Sequence, residues 1–216
     1  TASTPETKTA TEKHTLETDP RLTQIISAPA ALRQIAPSRV TAGTVMESGD
    51  SDGQERGIAI HLMLQALASQ TVPAAASLPA SLAGNINRDV HDPQANAWWL
   101  EAQTTASHTD FAFLFDPQQY DQAFNEVPVQ YLDADILVYG IIDRLVICGD
   151  TAFIIDYKTH ATASPETVDR LAGNYREQMR LYCLGVAKLW PEKQIRPYLL
   201  FTHSKQLVPM DEPKSA

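Results

Sequence analysis

Two strand-like runs on either side of a two-residue turn constrain this chain more than any other feature. The runs span residues 139–148 and 151–158 and are rich in β-branched and aromatic residues, and the turn is Gly149-Asp150. A glycine at the first position of a two-residue loop is typical of a type II′ β-hairpin turn. The pattern therefore predicts an antiparallel hairpin whose register places Asp143 directly opposite Asp156.

These opposed aspartates need a partner. Like charges directly opposite each other destabilise a sheet, because their Cβ atoms lie only about 5 Å apart. Two-residue alternation puts Lys158 on the same face as Asp156. The other positions of that face are apolar and comprise Ile141, Leu145, Ile147 and Ile154. Partly buried carboxylates need a compensating charge, so the pattern favours a divalent metal ion. It also predicts that removal of Asp156 relieves repulsion between the two carboxylates. The alternative is a pair of solvated aspartates beside an edge lysine that discourages aggregation.

Helical patterns flank the hairpin on both sides. Upstream, Ile60, Met63, Leu64 and Leu67 recur at helical spacing and predict an amphipathic helix that begins near Gly57, with His61 at the boundary of its buried stripe. Downstream, residues 168–190 predict one long helix that ends before Pro191. Its stripe comprises Leu171, Tyr175, Gln178, Tyr182, Gly185 and Leu189. Gln178 interrupts this stripe, so its amide should have a buried partner.

Five short motifs occur in order along the chain. They are Gly57-x-x-x-His61, Glu126-Val-Pro128, Gly140-Ile-Ile-Asp143, Asp156-Tyr-Lys158 and Gln178-x-x-x-Tyr182. Together they resemble the RecB-type branch of the PD-(D/E)xK nuclease superfamily over about residues 55–203. Within that branch the resemblance is strongest to the nuclease domain at the C-terminus of bacterial UvrD/Rep-like helicases, as in the AddA and RecB exonuclease subunits.

The resemblance implies an α/β (α+β) fold with a restriction-endonuclease-like α-β-β-β-α-β core, in which helices flank a mixed central sheet. The sequence patterns independently predict the same order of elements. They indicate a helix at 57–70, strands at 126–133, 136–148 and 152–158, a helix at 167–190 and a strand at 195–202.

The resemblance also assigns roles. Asp143, Asp156 and His61 would bind the metal together with the backbone carbonyl of Tyr157. Lys158 would orient or deprotonate the attacking water and offset charge in the transition state. Gln178 and Tyr182 would complete the catalytic set by supporting Lys158 and the DNA backbone, and Glu126 would lie in the second shell. Oxygen ligands with one imidazole suit Mg²⁺, or alternatively Mn²⁺.

Cysteine content and hydropathy bound the remaining cofactors and the compartment. Some relatives hold an iron–sulfur cluster with four cysteines, whereas this chain contains only Cys148 and Cys183. Two thiols cannot supply four ligands, so we expect no iron–sulfur cluster. We expect no disulfide framework either, and a bacterial cytoplasmic location. No apolar run reaches the roughly 18 residues that span a bilayer.

Composition along the chain predicts its organisation. Residues 1–50 fit a linker or remnant that follows a helicase region, with a short helix around Leu22–Ile35. Residues 51–205 would form the nuclease domain, in which 71–84 are a loop and 71–125 as a whole are a loop and helical insertion. The insertion's aromatics are Trp98, Trp99, Phe111, Phe113 and Phe115, and we expect them to pack in a core rather than to stack on bases. Residues 206–216 would form a C-terminal tail.

The expected function is that of a Mg²⁺-dependent deoxyribonuclease domain of exonuclease type, within a helicase–nuclease of double-strand-break repair and recombination. Its partners would be DNA, as a single strand delivered by the motor, and the second subunit of an AddAB- or RecBCD-like complex, with no membrane. The net charge of −9 indicates that other parts of a larger polypeptide hold the DNA. The candidate DNA contacts near the site are Lys158, Arg144, Arg176 and Arg180. Two alternatives stay open: a non-catalytic DNA-clamping or partner-docking module, and a stand-alone nuclease of the same superfamily.

Overall fold

The computed structural model describes residues 33–39, 51–72, 75–161 and 164–211. The chain divides into the units Thr1–Leu32 and Arg33–Ala216, and all of the described residues belong to the second. Most of the predicted linker at 1–50 and most of the helix predicted at Leu22–Ile35 therefore lie outside the described residues. The end of that helix prediction is wrong, because Arg33–Ile35 forms a β-strand that pairs with a longer strand.

A mixed six-stranded sheet carries helices on both faces, as the predicted fold class requires. The strands are β1 (Arg33–Ile35), β2 (Gln122–Asp133), β3 (Ile136–Cys148), β4 (Thr151–Lys158), β5 (Gln194–Phe201) and β6 (Gln206–Pro209). The helices are α1 (Ser51–Ala68), α2 (Ala80–Asn85), α3 (Pro93–Ala106), α4 (Ala112–Phe115), α5 (Pro165–Gly173) and α6 (Arg176–Leu189), with short 3-10 turns at Pro37–Arg39 and Thr109–Phe111.

Strand β3 positions the rest of the sheet. One of its edges pairs antiparallel with β2 along nearly its whole length. The other edge is shared, because β1 pairs in parallel with Ile136–Val138 and β4 pairs antiparallel with Arg144–Cys148. On this shared edge, residues 139–143 have no strand partner among the described residues. The sheet is therefore open between β1 and β4, and it continues from β4 through β5 to β6.

The β3–β4 hairpin has the predicted register. Cys148 pairs with Thr151 and Arg144 pairs with Ile155. Gly149 has a φ of +54°, whereas Asp150 does not have positive φ, as a type II′ turn requires of its two central residues. The ladder ends at Arg144, one step before Asp143 and Asp156 would face each other. The two aspartates therefore lie where the strands have begun to separate.

Two apolar clusters pack on opposite faces of the sheet. The first joins α1 and the insertion to β4, and it buries Trp98, Trp99, Phe111 and Phe115, which confirms that these aromatics serve core packing. The second joins α5 and α6 to the other face through residues such as Leu145, Ile154 and Val186. Within the described part of the chain, none of the helices combines the length and the apolar character that crossing a bilayer would need.

Several predicted elements have different boundaries. The long helix expected at 167–190 is interrupted at Asn174–Tyr175, where Gly173 ends α5, so Tyr175 lies at a bend rather than inside a helix. Helix α1 begins at Ser51, earlier than predicted, and α2 lies partly in the segment expected to be a loop. Strand β6 occupies part of the predicted C-terminal tail. Ile141 and Leu189, which the sequence pattern places on buried faces, are exposed because no described element covers them.

Candidate active site

The opening in the sheet forms a cleft of about 810 Å³. The C-terminal half of β4, the middle of β3, and helices α1 and α6 all contribute side chains to it. Its lining includes His61, Asp143, Asp156, Tyr157, Lys158, Gln178 and Tyr182, and also Gln34, Ile35, Ala36, Ser38 and Arg39 from β1 and the turn that follows it. Residues that are far apart in the sequence thus meet in one concave site.

Three metal-ligating side chains lie together in this region. Donor atoms of His61, Glu126 and Asp143 all lie within 4.8 Å of one another. His61 Nδ1 is 3.5 Å from Asp143 Oδ1, and His61 Nε2 is 3.2 Å from the carbonyl oxygen of Tyr157. One imidazole nitrogen with carboxylate and carbonyl oxygens is a donor set that suits Mg²⁺ or Mn²⁺. The residues present therefore fit a divalent cation.

Glu126 reaches this cluster through an unusual backbone. It has a φ of +52°, a conformation that costs a non-glycine residue about 1–3 kcal/mol and that is found in turns and at functional sites. Before it, Ala123 packs with the α1 and α3 cluster, whereas Val127 after it packs with the α5 and α6 cluster. The two faces of strand β2 are therefore exchanged at Glu126. This local change directs the carboxylate of Glu126 towards Asp143 on the neighbouring strand.

Strand β3 departs from regular alternation at the same level. Ile142 and Leu145 both pack under α5 and α6, although they are three residues apart. Asp143 lies between them and accepts a hydrogen bond from the backbone N–H of Tyr157 at 2.6 Å. This N–H would otherwise need an acceptor on the separating strand. The side chain of Asp143 thus bridges the gap between β3 and β4, which holds its carboxylate in place.

Asp156 lies in a different, more deeply buried network. It is only 3% exposed, its Oδ2 is 2.6 Å from Lys158 Nζ, and its Oδ1 accepts from Gln178 Nε2 at 2.7 Å. Gln178 Oε1 in turn lies 3.3 Å from Lys158 Nζ. Tyr182 donates to the carbonyl of Ile141 at 2.7 Å and links this network to β3. The predicted need of Gln178 for buried partners is confirmed.

The two clusters have different electrostatics. Burial by itself lowers the pKa of His61, but the Asp143 carboxylate outweighs this, and the pKa is raised. Burial, and then the charge of Asp143, raise the pKa of Glu126. Burial also raises the pKa of Asp156, which the Lys158 ammonium offsets only in part. Burial disfavours the ammonium of Lys158, yet the neighbouring Asp156 raises the pKa of Lys158, so the lysine is charged at neutral pH.

Two residues that sequence reasoning did not single out for the site adjoin Lys158. The ammonium lies 3.7 Å from the ring centroid of Tyr175, a cation–π arrangement. The hydroxyl of Tyr175 is 2.7 Å from His160 Nε2. The interruption between α5 and α6 places Tyr175 there. Its position three residues before Gln178, on the same stripe, is the signal from which the contact could have been inferred.

The structure brings together every predicted site residue, with two changes in their arrangement. Glu126 contributes to the same cluster as His61 and Asp143, whereas Asp156 is held by Lys158 and Gln178. Among the candidate DNA contacts, Arg144 is wrong, because it is 1% exposed and its guanidinium binds Leu114 O, Asn125 and Tyr120. It anchors the insertion to the sheet instead.

The fold and the site define the class of this protein as an α/β domain of nuclease type, built around a hairpin with an Asp…Asp-x-Lys pattern. A family model for the PD-(D/E)XK nuclease superfamily matches residues 36–215, and the chain belongs to that superfamily.

Several relatives are bacterial proteins whose names describe them as subunits of an ATP-dependent helicase/nuclease. That of Lactobacillus helveticus is 27% identical over 177 residues, which cover 72% of this chain and 14% of the relative. That of Lactobacillus acidophilus is 29% identical over 122 residues, covering 55% and 10%. That of Limosilactobacillus fermentum is 35% identical over 89 residues, covering 39% and 7%. The chain therefore spans only a small fraction of the length of these relatives. Among solved structures, SSO0001 aligns with 88% of this chain and 72% of its own, at 9% identity and a TM-score of 0.36.

Proposed function

We propose that this chain is a metal-dependent deoxyribonuclease domain that hydrolyses phosphodiester bonds. The observation that carries the proposal is the juxtaposition of the His61, Glu126 and Asp143 cluster with an Asp156–Lys158 ion pair, at a cleft that His61, Asp143, Asp156 and Lys158 line. A module that only clamps DNA or docks a partner would need neither a cation site nor a buried lysine held by several partners. The intact set therefore favours an enzyme.

The proposed roles follow from the surroundings of each group. His61, Asp143, Glu126 and the carbonyl of Tyr157 would hold a divalent cation, and Asp156, which pairs with Lys158, would be a further ligand. Such a cation, Mg²⁺ or Mn²⁺, polarises a phosphate and lowers the pKa of bound water when present.

The remaining residues serve the attacking water and the scissile phosphate. Lys158 orients the water and stabilises the charge that develops on the phosphate oxygens. Gln178 and Tyr175 keep the ammonium of Lys158 in place, and Tyr182 fixes the adjoining segment of β3.

We further propose that the domain works within a helicase–nuclease of double-strand-break repair and recombination, in the bacterial cytoplasm. The support is the names of its relatives and the family to which it belongs. In this setting the motor delivers a single strand, the domain cleaves it as an exonuclease, and a second polypeptide completes the complex.

The charge of the chain agrees with delivery by a motor. Seventeen Lys and Arg residues oppose 26 Asp and Glu residues, and DNA affinity arises largely from the phosphates that basic residues neutralise. Arg144 is buried and Arg180 is paired with Glu177, so few cations remain near the cleft. We expect this chain alone to bind DNA with a dissociation constant of about 10⁻⁴–10⁻⁶ M at physiological salt. Tethering to a DNA-bound motor would compensate through effective concentration.

The test is cleavage of end-labelled single-stranded and duplex oligonucleotides in Mg²⁺, Mn²⁺ or EDTA. We expect cleavage with either metal, none in EDTA, and none by Asp143→Asn. Asp133→Asn is the matched control, because it changes an exposed aspartate on the neighbouring strand outside the cleft, and it should cleave like the unaltered chain. Equal cleavage by Asp143→Asn and the control, or cleavage in EDTA, would contradict the proposal.

A further inference from the structure

Two large apolar side chains are exposed inside the cleft. Tyr139 is 39% exposed and Ile141 is 42% exposed, and both line the same cleft as Asp143. We call Tyr139 and Ile141 the β3 strip. The other exposed large apolar residues of the described chain, Ile58, Leu100, Phe124, Leu132 and Leu189, do not line the cleft. Exposed apolar groups that are concentrated in a concave site mark a binding surface.

The strip leads directly to the proposed metal cluster. Tyr139, Ile141 and Asp143 follow each other at two-residue intervals on the unpaired edge of β3, and alternate residues of a strand are about 6.8 Å apart. Successive bases in a duplex are separated by only about 3.4 Å. The spacing of the strip therefore suits the bases of an extended, unstacked single strand better than the stacked bases of a duplex.

Another part of the lining comes from β1 and the following 3-10 turn. It comprises the polar residues Gln34, Ser38 and Arg39 together with Ile35 and Ala36. Arg39 is exposed, and its guanidinium forms neither an ion pair nor a hydrogen bond with any residue that the structure describes. A cation and an apolar strip that line the same cleft match a nucleotide chain, which has a charged backbone on one side and aromatic bases on the other.

Gly140 allows the 3-10 turn and helix α6 to lie close to strand β3. A Cβ atom at this position would lie 2.9 Å from Pro37 Cδ and 2.9 Å from Tyr182 Cε1, closer than real Cβ contacts allow. Only glycine lets the 3-10 turn and Tyr182 pack this tightly against β3. Tyr139 and Ile141 lie on either side of Gly140 in the chain, and both line the cleft.

We propose that the β3 strip is a base-stacking subsite, on which Tyr139 and Ile141 receive consecutive unpaired bases of the strand being cleaved while Arg39 contacts its phosphates. The proposal rests on the proposed nuclease function and adds to it the residues that select an unpaired strand. Aromatic stacking tolerates any base, so the subsite would bind single strands without sequence preference.

The test compares Tyr139→Ala with Tyr139→Phe and with Phe124→Ala. Phe124 is the matched control, because it is an aromatic residue on the neighbouring strand with a similar exposure of 42% but lies outside the cleft. Binding of a fluorescent single-stranded oligonucleotide is measured by anisotropy at low salt in Ca²⁺, and cleavage is measured in Mg²⁺. We expect Tyr139→Ala to weaken binding by about 5- to 100-fold and to raise KM with little change in kcat. Tyr139→Phe should restore both, and Phe124→Ala should behave like the unaltered chain.

Two further arms keep the test decisive. An abasic nucleotide is placed one or two positions from the scissile phosphate of the oligonucleotide. It should weaken binding to the unaltered chain, whereas binding to Tyr139→Ala, which is already weaker, should not fall further. Arg39→Gln should lower the slope of log affinity against log salt by about one. Unchanged binding by Tyr139→Ala, or an equal loss in Phe124→Ala, would overturn the subsite. Failure of the nuclease proposal would appear separately, as an absence of cleavage by the unaltered chain, and the anisotropy arms would still decide the subsite.

Discussion

Asp143 and Asp156 lie on neighbouring strands and have the same side chain, yet their surroundings are opposite. Asp143 lies near another carboxylate, Glu126, and a histidine, and it accepts a hydrogen bond from a backbone N–H. Asp156 is enclosed by the ammonium of Lys158 and the amide of Gln178. The Asp143 half of the site has two carboxylates close together, and we propose that a cation completes it. In the Asp156 half, the charges of Asp156 and Lys158 already balance. This half stabilises the fold and also holds the ammonium of Lys158 in place.

The largest effect that distinguishes the two halves concerns stability without metal. Asp156→Asn removes the charge that compensates a buried ammonium, so we expect the free energy of unfolding to fall by about 3–5 kcal/mol. Asp143→Asn keeps an oxygen that accepts from Tyr157. It weakens the contact with His61 but also removes repulsion with Glu126, so it should change stability by less than about 1 kcal/mol. Urea denaturation in EDTA measures both.

The structure predicts that removal of the Asp156 charge lowers stability, whereas the sequence pattern predicts that it relieves repulsion. Opposed carboxylates predict that removing Asp156 relieves repulsion, but the strands separate before the two aspartates pair, and Lys158 is the actual partner of Asp156. Equal destabilisation by the two asparagine variants would show that the halves do not differ in the way described.

The second prediction concerns the rate of cleavage. Lys158→Met keeps much of the volume of the side chain and removes its charge, so cleavage should slow on the order of 10²-fold, as for loss of one preorganised stabilising group. Single-turnover cleavage in saturating Mn²⁺ measures this effect without a contribution from metal affinity. A variant that folds normally by circular dichroism and cleaves at the original rate would exclude Lys158 from the chemistry.

A smaller effect should follow from the ring of Tyr175. Tyr175→Leu removes a cation–π contact with Lys158, a contact that contributes about 0.5–2 kcal/mol, so kcat should fall by about 2- to 30-fold with KM nearly unchanged. Tyr175→Phe keeps the ring and should retain most of the activity. Tyr131→Leu is the control, because the ammonium of Lys188 lies 5.6 Å from the ring centroid of Tyr131. This cation–π pair does not line the cleft. If Tyr131→Leu and Tyr175→Leu lowered kcat equally, the effect of Tyr175 would be general rather than local.

Much of the fold could be predicted from the sequence because its signals are local. The turn at Gly149 determines the register of β3 and β4, and that register is confirmed for the paired residues. Helical spacing located α1 and most of α6. The position of Gln178 on an otherwise apolar stripe indicated that its amide has buried partners, and the structure confirms this. In each case the pattern of a few neighbouring residues contains the information.

The departures from regular structure could not be predicted in this way. The positive φ of Glu126, the early end of the β3–β4 ladder and the broken alternation around Asp143 all depend on contacts between different strands. Arg144 illustrates the same limit, because its burial follows from Leu114 and Asn125, which are distant in the sequence. These irregular positions lie in or beside the candidate site, and strained backbone of this kind is a known feature of functional sites.

Calorimetric titration with Mn²⁺ tests the central claim most directly. The unaltered chain and Lys158→Met should both bind the ion, the latter at least as tightly because a nearby positive charge is gone. Asp143→Asn should show no binding in the same concentration range, although it is folded. Binding of Mn²⁺ that is retained in Asp143→Asn would contradict the account, because it would show that the cation does not depend on the cluster of His61, Glu126 and Asp143.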